Sequence, residues 1–128
     1  MKKRKRHLED DLQMQVCDYL ARVCPVYFWA VPNGGVRNPR EAQRLKRMGV
    51  RAGVFDLHFL LPAARDHSGG RLGVIELKVK PNGLTPEQKG FRSLVIAAGG
   101  VTAVCYSLPE VYDTLVGWGV KLPASVFA

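Results

Sequence analysis

An α/β fold with a mixed central sheet flanked by helices, in the order α-β-α-β-β-α-β-α, is the class this sequence predicts. Three observations predict it. Apolar residues recur at three- and four-residue steps from Leu8 to Val23 and again from Phe91 to Ala98, which is the helical period. Short β-branched or aromatic runs bounded by proline and glycine lie between and after these segments, as strands do. Two of those runs are joined by the polar, glycine-containing connection from Pro62 to Arg71, which suits a hairpin-like return and makes them antiparallel neighbours.

The first helix carries the stripe Leu8, Leu12, Val16, Leu20 and Val23, and Cys24-Pro25 ends it. Val26 to Val31 reads as a strand, closed by Pro32-Asn33-Gly34-Gly35. Asn38-Pro39-Arg40-Glu41 combines an N-cap, a proline in the first turn and an acid that reaches back, so a short helix runs to about Met48. Val54 to Leu61 and Leu72 to Val79 are the two hairpin strands. Thr85-Pro86-Glu87-Gln88 is a second capping signature, opening a helix that Gly99-Gly100 stops. Val101 to Tyr106 is a strand, and Val111, Tyr112 and Leu115 mark a weaker helix after Pro109.

At 128 residues, 47% hydrophobic and 23% charged, the chain suits one domain able to bury a core without disulfide or structural-metal staples. Cys17, Cys24 and Cys105 show no CxxC pairing and no zinc-ligand spacing with His7, His58 or His67, which favours a reducing compartment. No apolar run approaches the roughly 20 residues of a membrane helix, so a soluble cytoplasmic protein is expected. The net charge is +8, and it is lopsided: residues 1–51 hold twelve Lys/Arg against five Asp/Glu. A polyanion is the natural partner for that half. Within it Arg40, Arg44 and Arg47 form one helical stripe, flanked by Lys46 and Arg51.

Three charged residues interrupt the hairpin strands. Alternation puts Val54, Asp56, His58 and Leu60 on one face of the first, and Leu72, Val74, Glu76 and Lys78 on one face of the second, so two carboxylates and an ammonium are expected to converge. Half-buried charges cost several kcal/mol unless they are paired or bind metal, and a buried ion pair would meet that need as well as a metal.

Taken with their company, these residues resemble the PD-(D/E)xK nucleases, and more closely the VRR-NUC family of small virus-type replication and repair nuclease domains. The matching residues are Glu9-Asp10-Asp11-Leu12-Gln13, Pro32-Asn33-Gly34-Gly35 with Arg37-Asn38, Gly53-Val54-Phe55-Asp56-Leu57, Ile75-Glu76-Leu77-Lys78, and Leu84-Thr85-Pro86-Glu87-Gln88-Lys89. They span roughly residues 7 to 106. Phe55 departs from the family's proline, a position that shapes backbone and supplies no ligand.

The resemblance implies a restriction-endonuclease-like core over residues 7–128, with residues 1–6 a basic tail. It implies a metal-dependent DNA endonuclease acting on branched or structured DNA in a phage or bacterial host, similar to Holliday junction resolvases. Because such a substrate is two-fold symmetric, a homodimer is implied. A flap or nicking nuclease, or an inactive basic DNA-binding accessory protein, are the alternatives.

Residue by residue, Asp56 and Glu76 would be carboxylate ligands of Mg²⁺ or Mn²⁺, with the backbone carbonyl of Leu77 as a third. Lys78 would orient water and offset charge on the phosphate. Glu9 would be the acid of the first helix, binding the metal directly or through water; Asp10 and Asp11 are adjacent candidates, but Gln13 stands four residues from Glu9 on the same face, the family's pairing. Gln88 would sit near the metal, although it is also the N3 residue of a capping box with Thr85, and one amide is not expected to fill both roles. Asn33, Arg37, Gln13 and the Arg40, Arg44, Arg47 stripe would contact nucleic acid, and His58 is read as structural.

Overall fold

The computed structural model describes residues 2–32, 38–63, 69–125 and 127, with backbone alone for residues 2–6. Helix α1 spans Lys2–Val23, so the helix reaches back through the basic residues expected as a tail. Its apolar stripe meets the core at Leu12, Val16 and Leu20, whereas Leu8 is 45% exposed.

The sheet has four strands in the order β1-β2-β3-β4, with β1 at Phe28–Ala30, β2 at Leu57–Leu61, β3 at Arg71–Leu77 and β4 at Val101–Cys105. β2 runs antiparallel to both β1 and β3. β4 returns parallel to β3 after the crossover helix α3, Pro86–Ala97, and α4 follows at Leu108–Gly117. The class is therefore α/β with a mixed sheet.

Period-two alternation decides what each face buries. Leu57, Phe59, Leu61, Ile75 and Leu77 point to one side and pack with Val16 and Leu20 of α1 and Val111 and Leu115 of α4. Each such fully buried side chain contributes about 1.5–3 kcal/mol. On the other side Val74 packs with Phe55 and with Val95 and Phe91 of α3.

Helix α2, Pro39–Arg47, is different. It buries no residue, so packing does not stabilise it. What supports it is local: Asn38 Oδ1 accepts from the Glu41 N–H at 2.7 Å, Glu41 complements the helix dipole at one end, and Arg44, Lys46 and Arg47 do so at the other. Among the described residues no helix is long and apolar enough to cross a membrane.

The strand bounds differ from the sequence expectation by more than one residue in β1, β2 and β3. β1 keeps only Phe28–Ala30 of the run from Val26 to Val31. β2 starts at Leu57 and not at Val54, because the chain bends at Asp56 and sends the fully buried Phe55 into the α3-side core against Phe91. β3 ends at Leu77, where the Asp56 carboxylate takes the Leu77 N–H. Both of the last two departures happen where the charged residues gather.

Candidate active site

The β2–β3 register pairs Leu57 with Ile75, so one further step sets Asp56 across from Glu76 at the end of the sheet. Two reciprocal bonds lock them. The Asp56 N–H donates to Glu76 Oε1 at 3.1 Å, and the Leu77 N–H donates to Asp56 Oδ2 at 2.9 Å. Lys78 Nζ lies 3.6 Å from Glu76 Oε2, and both side chains are buried.

Gln88 reaches the same oxygen from the first turn of α3. Its Nε2 donates to Glu76 Oε2 at 2.9 Å, while its Oε1 accepts the Thr85 N–H at 3.0 Å and Thr85 Oγ1 accepts the Gln88 N–H at 3.2 Å. This corrects the expectation that one amide could not serve both roles. A carboxamide has an acceptor end and a donor end, and here the cap uses one and the site the other.

The turn before Asp56 sets how close α3 can come. Gly53 has φ +84°, and a Cβ built there would lie 2.4 Å from the Glu87 carbonyl oxygen and 2.9 Å from the Gln88 nitrogen. Only glycine allows backbone to meet backbone at this point.

Helix α1 brings Glu9 to the same end of the sheet, half-buried and close enough for its charge to raise the pKa of Asp56. Asn82 Nδ2 donates to Glu9 Oε2 in a long 3.5 Å bond, and the Asn82 carbonyl accepts from Tyr106 Oη at 2.8 Å. Asn82 and Tyr106 carry no signal of this role in the sequence: one sits in a Pro-Asn-Gly turn and the other ends a strand run. Only the pairing of β3 with β4 brings them together.

Burial dominates the electrostatics. Loss of water, followed by repulsion from Asp56, pushes Glu76 up to about 8, and the Lys78 ammonium only partly opposes this. Asp56 is likewise raised, first by burial and also by Glu9, against the lowering effect of the Leu77 N–H. The pair therefore holds a shared proton near neutral pH.

That is the chemistry of a site with more negative charge than its own residues balance. A divalent cation replacing the shared proton would let both carboxylates ionise, and an all-oxygen donor set suits Mg²⁺ or Mn²⁺. Among the described residues no three His, Cys, Asp or Glu side chains converge as a metal cluster. The fit is thus to a hard ion held by one or two carboxylates that keeps several waters.

Of the remaining predicted residues, Arg40, Arg44 and Arg47 are exposed on α2, and Gln13 is half-buried on α1. Asn33 and Arg37 lie outside the described residues. His58 is structural: its Nε2–H donates to the Phe55 carbonyl at 3.2 Å, its ring stacks on Phe91, and burial lowers its pKa. A groove of about 970 Å³ beside α3, lined by Val54, Phe91, Leu94 and Val95, contains neither Asp56 nor Glu76. Charge, and not volume, identifies the site.

A solved structure described as a VRR_NUC domain protein has the same fold, with a TM-score of 0.69, 26% sequence identity and 86% of each chain covered. No protein-family model and no curated protein matches the chain.

Proposed function

We propose that this chain is a nuclease of the VRR-NUC type, a divalent-metal-dependent DNA endonuclease that hydrolyses phosphodiester bonds in branched or structured DNA, in the manner of Holliday junction resolvases; its likeness to a solved VRR_NUC domain protein supports the reading. The observation that carries the reading is the gathering of Asp56, Glu76, Lys78 and Gln88 around one pair of carboxylates.

Asp56 and Glu76 would hold Mg²⁺ or Mn²⁺, with the Leu77 carbonyl as a further protein ligand and Glu9 acting through a metal-bound water. When bound, the ion supplies Lewis-acid activation of water and neutralises charge on the scissile phosphate. Lys78, held against Glu76 at 3.6 Å, keeps its ammonium where it orients the attacking water and offsets charge that grows on the phosphate oxygens. Gln88 fixes the Glu76 carboxylate from the helix side. Hydrolysis is direct, with no covalent intermediate on the protein.

The exposed arginines of α2 contact backbone phosphates and not bases, and each such contact steepens the salt dependence of duplex binding by about 0.9 in log–log slope. A two-fold symmetric junction needs two active sites, so the working form is a homodimer.

The test is cleavage of a labelled four-way junction, a flap and a plain duplex in Mg²⁺, Mn²⁺ and EDTA, with Glu76→Ala prepared alongside. Paired, metal-dependent incisions on the junction that vanish in the variant are expected. If all three DNAs are bound and none is cut, the protein is an accessory binder and the enzymatic reading fails.

A further inference from the structure

Tyr27 is 70% exposed, a poor position for a large aromatic ring unless the ring has something to meet. Its carbonyl accepts the Leu60 N–H at 3.0 Å, so Tyr27 continues the β1–β2 pairing opposite Leu60, which is itself 54% exposed. Two residues on, Trp29 pairs with His58. Alternate positions share a face, so Tyr27 and Trp29 stand on the side of the sheet that carries His58 and, by the same register, Asp56 and Glu76.

The rings form a row. Tyr27 and Trp29 are 5.9 Å apart, Trp29 and His58 5.5 Å, and His58 and Phe91 5.9 Å with a 27° tilt. The inner end is anchored on α3 and the outer end is open. The row also leads to the site: the Val31 N–H donates to the Asp56 carbonyl at 2.9 Å, which puts Trp29 about 7 Å and Tyr27 about 13 Å from the level of Asp56 along the strand.

We propose that Tyr27 and Trp29 are a stacking platform for nucleotides left unpaired next to the scissile bond, at the branch point of the DNA substrate. This rests on the nuclease reading and narrows it. Nucleobases fit because every base offers a flat π-face to an aromatic ring, whatever the sequence, and the +8 chain with its exposed α2 arginines attracts the connecting phosphates. A second copy of the chain fits less well. Tyr27 and Leu60 are the large apolar side chains that this face of β1 and β2 exposes, far short of the roughly 800 Å² per partner of a stable interface.

The experiment measures binding in EDTA, in the full-length Glu76→Ala background, of labelled oligothymidine and of a blunt duplex. Tyr27→Ala, an exposed change that leaves the core alone, is expected to weaken oligothymidine binding about ten-fold and duplex binding less than two-fold. Tyr27→Phe, which keeps the ring, is expected to restore it. Oligothymidine should also quench tryptophan fluorescence, and Trp29→Phe should remove that quench. Equal losses on both DNAs, or no loss on either, overturn the platform. A sedimentation shift from dimer to monomer in Tyr27→Ala overturns it too, since the face is then a subunit contact. Because no cleavage is needed, failure of the nuclease reading would appear separately, as junction, flap and duplex all left intact by wild-type protein in metal.

Discussion

Replacing Gly53 by alanine tests how the proposed active site is assembled, because the new methyl group strikes the turn that delivers Gln88. At φ +84° an L-residue costs about 1–2 kcal/mol on backbone grounds alone. The methyl would also sit 2.4 Å from the Glu87 carbonyl oxygen, and the obstacle is backbone, which cannot rotate away. Restoring even a tight 3.0 Å contact needs a displacement of about 0.6 Å. Carried by the first turn of α3, that shift stretches the 2.9 Å Gln88–Glu76 bond to about 3.5 Å, beyond useful hydrogen-bond range. Together the strain and the lost bond amount to about 2–4 kcal/mol, or a fall in Tm on the order of 10 °C for a domain of this size. Urea unfolding followed by tryptophan fluorescence gives the stability, and junction cleavage well below the midpoint gives the activity. Gly83→Ala is the control, since nothing lies within 4 Å of its Cβ. A Gly53→Ala protein within about 0.5 kcal/mol of wild type and fully active would refute the close approach and the positioning argued from it.

Three more outcomes follow from the same geometry. Gln88→Glu keeps the cap acceptor but puts a like charge against Glu76, whereas Gln88→Leu loses cap and donor together; both are expected to abolish cleavage, and the leucine variant to lose about 1 kcal/mol of helix capping as well, so wild-type cleavage by Gln88→Glu would show that the amide donor is unimportant. The Glu76 pKa of about 8 lies above its unfolded value of 4.5, so the folded metal-free protein binds the extra proton between those pH values and its stability falls as pH rises through the window. Urea midpoints at pH 5, 7 and 9 in EDTA should show that slope for wild type and a flatter one for Glu76→Gln; parallel curves would count against the buried shared proton. Lys78→Ala should abolish cleavage yet leave DNA affinity nearly intact, measured by anisotropy, and an equal loss of both would mean that its ammonium serves binding and not chemistry.

Much of this was legible in the residues. Helix and strand periods are local properties, set by which side chains lie three, four or two positions apart, and the stripes from Leu8 to Val23 and from Phe91 to Ala98 and the hairpin runs carried them. The charged interruptions Asp56, Glu76 and Lys78 were visible for the same reason: an isolated charge inside an apolar run has a cost that can be read without a structure. The cap at Thr85 was equally local.

What composition and period could not show were the contacts closed over distance. The bend at Asp56 that turns Phe55 toward α3, the dual use of Gln88, the strut from Tyr106 through Asn82 to Glu9 and the aromatic row on β1 all join residues far apart in the chain. None has a local free-energy signature strong enough to be read from neighbours. Asn82 looks like any turn residue until β4 brings Tyr106 beneath it, and Gln88 looks like a cap until α3 docks on Val74. The sequence by itself determined the elements and the chemistry they carry. The tertiary structure alone decided the register, the approach of α3 past Gly53 and hence which oxygen each donor meets, because those depend on long-range packing and not on local conformational preference.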